Sequence, residues 1–123
     1  MILLEKETYA IKGTIFEVYR ELGAGFLEDV YQESLAIEFK SRGILFAAQE
    51  RIGLAYKGIP LRQVYVPDFI CFNQVIVELK VVAKILPEHE AQVLNYLKAT
   101  GCRVDFLVNF NHVPKVEIRR FVW

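Results

Sequence analysis

Asp68 and, ten residues on, Glu78-Leu79-Lys80 place two carboxylates and an ammonium in the most apolar part of the chain. They sit in Val66-Pro67-Asp68-Phe69-Ile70-Cys71-Phe72 and Val75-Ile76-Val77-Glu78-Leu79-Lys80-Val81-Val82, with Asn73-Gln74 between them. Both flanks are rich in β-branched and aromatic residues and read as paired strands. Charges there are costly unless they are paired or hold a metal. Side chains alternate faces along a strand, so Glu78 and Lys80 point the same way. If the turn is the three residues Phe72-Asn73-Gln74, Asp68 lies opposite Glu78, with Cβ atoms roughly 4.5–5.5 Å apart. A two-residue turn would instead set Asp68 against Leu79. Two carboxylates that close repel one another unless a cation lies between them. Their oxygens suit a hard divalent ion such as Mg²⁺, and Lys80 would neutralise charge or orient a water or a phosphate oxygen. The competing reading is a solvated cross-strand salt bridge, which would be structural only.

The surrounding elements must hold that arrangement. Ile11, Ile15, Val18 and Leu22 recur at helical spacing, predicting a helix over Thr8–Leu22 with Thr8 as cap, ended by Gly23-Ala24-Gly25. Leu27, Tyr31, Leu35 and Phe39 predict a second helix over Leu27–Arg42, closed by Gly43. Strand-like runs follow at Ile44–Gln49, Arg51–Tyr56, Ile59–Val66, Asp68–Phe72 and Val75–Val82, with a tight turn at Lys57-Gly58. Pro87 opens a third helix, about Glu88–Thr100, that Gly101 ends. Asp105–Phe110 and Val116–Val122 are the last strands, joined by Asn111-His112-Val113-Pro114. The pattern is α/β in the α+β sense, a mixed central sheet flanked by helices.

At 123 residues the chain is expected to be one domain, 1–123. It is 54% hydrophobic, with a mean hydropathy of +0.25, so part of its apolar surface is expected in a core and part in a subunit interface. No apolar run approaches the ~18 residues of a membrane span. Met1-Ile2-Leu3-Leu4 is too short for a signal sequence, and a cytoplasmic location is expected. Cys71 and Cys102 lack zinc-site spacing and read as buried thiols. Residues 1–50 carry five Lys/Arg and nine Asp/Glu (−4), and residues 51–123 carry ten and six (+4). The acidic pair and its lysine thus lie in the basic part, which is compatible with a polyanionic ligand approaching there.

Three motifs in order, Gly25-Phe26-Leu27-Glu28-Asp29-Val30-Tyr31, Val77-Glu78-Leu79-Lys80 and His89-Glu90-Ala91-Gln92-Val93-Leu94-Asn95-Tyr96-Leu97, make the chain resemble the GxxExxY proteins of the PD-(D/E)XK nuclease superfamily, a family of small prokaryotic proteins. The resemblance runs from about Ile11 to Val122, and no position of its signature is missing. It implies a restriction-endonuclease-like αβββαβ core and Mg²⁺-dependent hydrolysis of phosphodiesters, with Mn²⁺ able to substitute. Asp68 and Glu78 match its metal-binding acids, and the Leu79 carbonyl would be a further ligand. Lys80 matches the lysine that positions or activates water. Glu28 matches a first-helix glutamate that joins the metal site or holds its water, and Gln92 a glutamine pointing back to the site. The substrate implied is nucleic acid, DNA ahead of RNA, in repair, recombination or defence.

Plainer roles stand beside these. Glu28 suits a helix N-terminus by charge alone, and Gln92 shares a helix face with Tyr96. Tyr31 and Tyr96 suit the core or the site wall, His89 a cap, and His112 a solvated loop. Trp123 reads as a packing or dimer contact. So short a chain would draw specificity from a homodimer or a partner protein. A non-catalytic nucleic-acid-binding or assembly module, and a structural dimer, are the competing functions. Arg51, Lys57, Arg62, Lys84 and Lys98 are the exposed candidates for phosphate contact.

Overall fold

The computed structural model describes residues 4–123; the Met1-Ile2-Leu3 start lies outside the described residues. Two helices come first, α1 (Glu5–Leu22) and α2 (Glu28–Ser41). α1 begins three residues before Thr8, which is therefore not its cap. The Thr8 hydroxyl instead bonds back to the Leu4 carbonyl at 2.9 Å, the back-bond a mid-helix threonine makes. Glu5 and Glu7 favour the earlier start by lying in the positive first turn. The predicted stripes are the buried ones: Ile11, Ile15 and Val18 on α1, and Tyr31, Leu35 and Phe39 on α2.

The remaining elements are β1 (Phe46–Ala48), β2 (Ile52–Tyr56), β3 (Ile59–Tyr65), β4 (Phe69–Cys71), β5 (Val75–Lys80), α3 (Pro87–Thr100), β6 (Val104–Asn109) and β7 (Glu117–Val122). Five strands form one sheet in the order β1-β4-β5-β6-β7. β5 and β6 are parallel and the other neighbours antiparallel. A parallel pair needs a long crossover, and α3 supplies it. The path α2-β1-β4-β5-α3-β6 is the expected αβββαβ core, in a mixed α/β fold.

β2 and β3 pair only with each other. The sequence reading placed these runs with the other strands of a mixed sheet, and the structure removes them from it. From Ile59 to Gln63 every residue of β3 is exposed, so no buried face anchors this strand in a layered sheet. β1 pairs directly with β4, and the hairpin is an excursion between them.

The sheet separates two cores. Val75, Val77 and Leu79 of β5 pack with Phe69, Phe106, Val108 and the buried stripes of α1 and α2. Phe39, Phe46 and Phe69 meet there at centroid distances of 5.1–5.8 Å, pairings worth about 0.5–1.5 kcal/mol each beyond area burial. On the opposite face Ile76 and Leu107 pack beneath Val93 and Leu97 of α3. Glu78 and Lys80 share the parity of Ile76, so the strand turns both toward the α3 side.

Candidate active site

The turn between β4 and β5 is the three residues Phe72-Asn73-Gln74, with Phe72 and Asn73 at φ 55° and 58°. It pairs Cys71 with Val75, Ile70 with Ile76 and Phe69 with Val77. One step further, just outside β4, the same register brings Asp68 to Glu78. Asp68 Oδ2 accepts the Leu79 amide at 2.8 Å. That bond fixes one carboxylate oxygen. Each carboxyl shifts the ionisation of the other. Burial, then the Asp68 charge against the opposing pull of a Tyr65 hydrogen bond, pushes Glu78 up to about 8. Burial likewise raises Asp68, although the Leu79 amide and Lys80 pull it down. No ion pair joins Lys80 to either acid among the described residues. This is not the solvated salt bridge of the competing reading.

The site has supports that spacing did not disclose. The Tyr65 hydroxyl donates to Glu78 Oε1, and the Tyr65 ring stacks on Tyr96 of α3 at 3.6 Å between centroids. Tyr96 is thus a site wall. Gln32 Nε2 donates to the Asp68 carbonyl at 3.2 Å, and the Gln49 amide reaches the same oxygen at 3.1 Å. Gln32 is i+4 from Glu28 on one helix face, which is the signal that marks it. Asp105 of β6 is fully buried, and neither of its oxygens has a hydrogen-bond partner among the described residues. Burial, then the charges of Glu78 and Asp68, push it up to about 9. One acid inside the unbroken apolar run Val104–Val108 was its mark in the sequence.

Glu28 opens α2 and remains exposed, yet desolvation of its carboxyl and then the nearby Asp68 charge raise its pKa, while Lys80 lowers it. Tyr31 explains the spacing of the glycine, glutamate and tyrosine. Its hydroxyl donates to the Gly23 carbonyl at 2.5 Å and accepts the Phe26 amide at 3.3 Å. Its ring stacks on Phe110 at 4.4 Å. Gly25 sits in that bend at φ 107°, a conformation that strains any other residue. The tyrosine therefore pins the turn that delivers Glu28. Tyr31→Phe keeps the stack and is expected to cost about 1–2 kcal/mol of stability, measured by denaturant unfolding; an unchanged midpoint would show that the hydroxyl pins nothing.

The other predicted residues fall as follows. Gln92 is exposed on α3, one turn before Tyr96, and makes no hydrogen bond among the described residues. His89 Nδ1 accepts the Leu86 amide at 3.0 Å and caps α3. His112 is exposed, its Nδ1 2.7 Å from the Lys115 carbonyl oxygen. Trp123 is 61% exposed, and the Lys98 ammonium lies over its ring at 5.6 Å from the centroid. Cys71 and Cys102 are buried free thiols, and burial pushes Cys71 up to about 12.

A family model of the PD-(D/E)XK nuclease superfamily matches residues 5–121. The chain belongs to this superfamily. Pro67-Asp68 and Glu78-Leu79-Lys80 spell the pattern the superfamily is named for. No curated protein and no solved structure matches the chain. As a PD-(D/E)XK chain it carries the expected mixed sheet flanked by helices. Among the described residues no helix is long and apolar enough to cross a membrane.

The donor set can be tested against a divalent cation. No three His, Cys, Asp or Glu residues close on one point among the described residues, so the chain offers no all-protein cage. It offers two facing carboxyls with raised pKa values, a combination a cation would relieve. The Lys80 carbonyl is taken by the Phe110 amide on β6, and alternation turns the Leu79 carbonyl toward the Asp68 edge. Two carboxylates and a carbonyl, completed by water, are a donor set that Mg²⁺ accepts.

Proposed function

We propose that this PD-(D/E)XK chain is a metal-dependent nuclease that hydrolyses phosphodiester bonds of DNA. The observation that carries the reading is the meeting of Asp68 and Glu78 across β4 and β5, with Lys80 on the same strand face and no ion pair between lysine and acids. Asp68, Glu78 and the Leu79 carbonyl are the residues that would hold the cation, with Glu28 reaching it directly or through water. Mg²⁺, or Mn²⁺ in its place, supplies Lewis-acid charge against the charge that develops on the phosphoryl oxygens. Asp68 is held for this task by the Leu79 amide, and Glu78 by Tyr65. Lys80, on the same strand face as Glu78, would orient the attacking water. Gln92, one turn before Tyr96 on α3 and exposed, is proposed to meet the substrate. Gly25, Glu28 and Tyr31 support the narrower GxxExxY membership, because their spacing has the structural purpose described above.

The test is cleavage of a panel of labelled DNA and RNA structures with Mg²⁺ or Mn²⁺. Lys80→Ala is expected to lower the rate about 100-fold or more, as loss of one charged transition-state contact does, with unfolding unchanged. Absence of cleavage of any substrate, together with no metal binding by calorimetry, would sink the nuclease reading. It would leave a nucleic-acid-binding module on the same fold.

A further inference from the structure

The hairpin that leaves the sheet has no structural partner for most of its length. Lys57 and Gly58 form its two-residue turn, both at positive φ (50° and 78°), the turn that matches strand twist. At its tip Tyr56 is 62% exposed and Ile59 66%. Arg51, Lys57 and Arg62 are exposed and join no acid in an ion pair among the described residues. Residues 51–65 contain these three cations and no Asp or Glu, a charge of +3. The base of the hairpin is the site itself. Tyr65 ends β3, bonds Glu78 and stands three residues before Asp68. Between Gly53–Val64 and Ala55–Pro60, β3 advances four residues while β2 advances two, a bulge that bends the ribbon. Seven residues of β3 reach about 20 Å.

We propose that the β2–β3 hairpin is an arm that lies in the major groove of duplex DNA beside the scissile bond. The inference rests on the nuclease reading and names the form of its substrate. A basic ribbon with an apolar tip, rooted at a phosphodiester-cleaving site, matches a polyanion in charge. The major groove of B-form DNA, about 12 Å wide, admits a two-stranded ribbon. The deep, narrow major groove of duplex RNA does not. An apolar tip next to cations suits a groove in which thymine methyl groups lie near phosphates. Tyr65 then ties the arm to Glu78, so that the groove contact and the site are one rigid piece.

The experiment measures binding in EDTA, where no cleavage occurs, by fluorescence anisotropy with short duplex DNA, duplex RNA and single-stranded DNA at several salt concentrations. The triple variant Arg51→Ala/Lys57→Ala/Arg62→Ala is compared with wild type and with a charge-matched control, Lys6→Ala/Lys40→Ala/Lys115→Ala, at exposed sites off the hairpin. The expected result is a preference of wild type for duplex DNA. The hairpin variant should lose about tenfold or more in affinity, and its slope of log affinity against log salt should fall by about 2–3. Thermal unfolding should match in both variants. A hairpin variant that binds like the control overturns the arm, and intact metal-dependent cleavage in the same preparation would show that the nuclease reading survives. Equal binding of duplex RNA overturns the groove assignment. A Tyr56→Ser/Ile59→Ser variant that loses self-association and keeps full DNA affinity also overturns the arm, making the hairpin a contact between copies of this chain.

Discussion

Asp68→Asn is expected to reduce metal-dependent cleavage by about 10³-fold or more while leaving the fold as stable as before or firmer. The loss follows from removing the carboxylate that the Leu79 amide holds in place. A cation's charge is worth several kcal/mol at a phosphoryl transition state, and each ~1.4 kcal/mol is tenfold in rate. The stability expectation comes from the same geometry. Asp68 is a partly buried acid whose pKa is raised by burial, so its ionised form opposes folding of the metal-free protein. The amide of asparagine removes that charge in nearly the same shape. Cleavage rates and thermal unfolding of the two proteins, with and without Mg²⁺, check both halves. Wild-type activity in the variant would remove Asp68 from the reaction. A collapse of stability together with activity would make it a structural residue. Glu78→Gln is expected to follow Asp68→Asn in activity.

The metal-free protein is expected to lose stability as pH rises, the reverse of ordinary acid denaturation. Glu78 stands at about 8 in the fold against an ordinary value of 4.5, and Asp105 at about 9 against 3.8. Between those values the folded chain holds protons that the unfolded chain releases. Stability therefore falls with pH, because the folded state binds more protons than the unfolded state. The favourable term is fully present below about pH 4 and is gone once pH has passed 8 for Glu78 and 9 for Asp105. Each group contributes at most about 1.4 kcal/mol per pH unit. Over those roughly 2.5 pH units the two groups together withdraw at most about 7 kcal/mol, so the melting midpoint is expected to be lower at about pH 8 than at about pH 5.5 by about 10 °C or more and by at most roughly 28 °C, taking about 4 °C per kcal/mol. Asp105→Asn should remove about half of that slope and leave Glu78 to carry the rest. Saturating Mg²⁺ should oppose the slope, since it favours the ionised acids of the pair. A midpoint that rises or stays level over this range in metal-free buffer would show that both Glu78 and Asp105 are ionised in the folded chain.

Both expectations join residues of different legibility. Asp68 and Glu78 were readable as a pair on condition of a three-residue turn at Phe72-Asn73-Gln74, since turn length sets the register and strand alternation the face; a two-residue turn stayed open until the structure showed three. The stripes of α1 and α2 were readable by a local rule too, at helical period. The sequence by itself therefore determined the buried helix stripes and the strands that carry the two acids, while the turn length that sets Asp68 against Glu78 and not Leu79 is decided in the fold. Tertiary structure alone decided that β2 and β3 leave the sheet, because strand propensity states that a segment is extended and not which neighbour it pairs with. It alone brought Tyr65 to Glu78, Gln32 to the Asp68 carbonyl and Asp105 beneath the acids. Those partners lie 13 or more residues apart in the chain, and their meeting depends on how α2, α3 and β6 pack on the two faces of the sheet. The raised pKa values follow from that packing as well, since the energy of a buried carboxyl is set by the water removed around it and not by its neighbours in sequence.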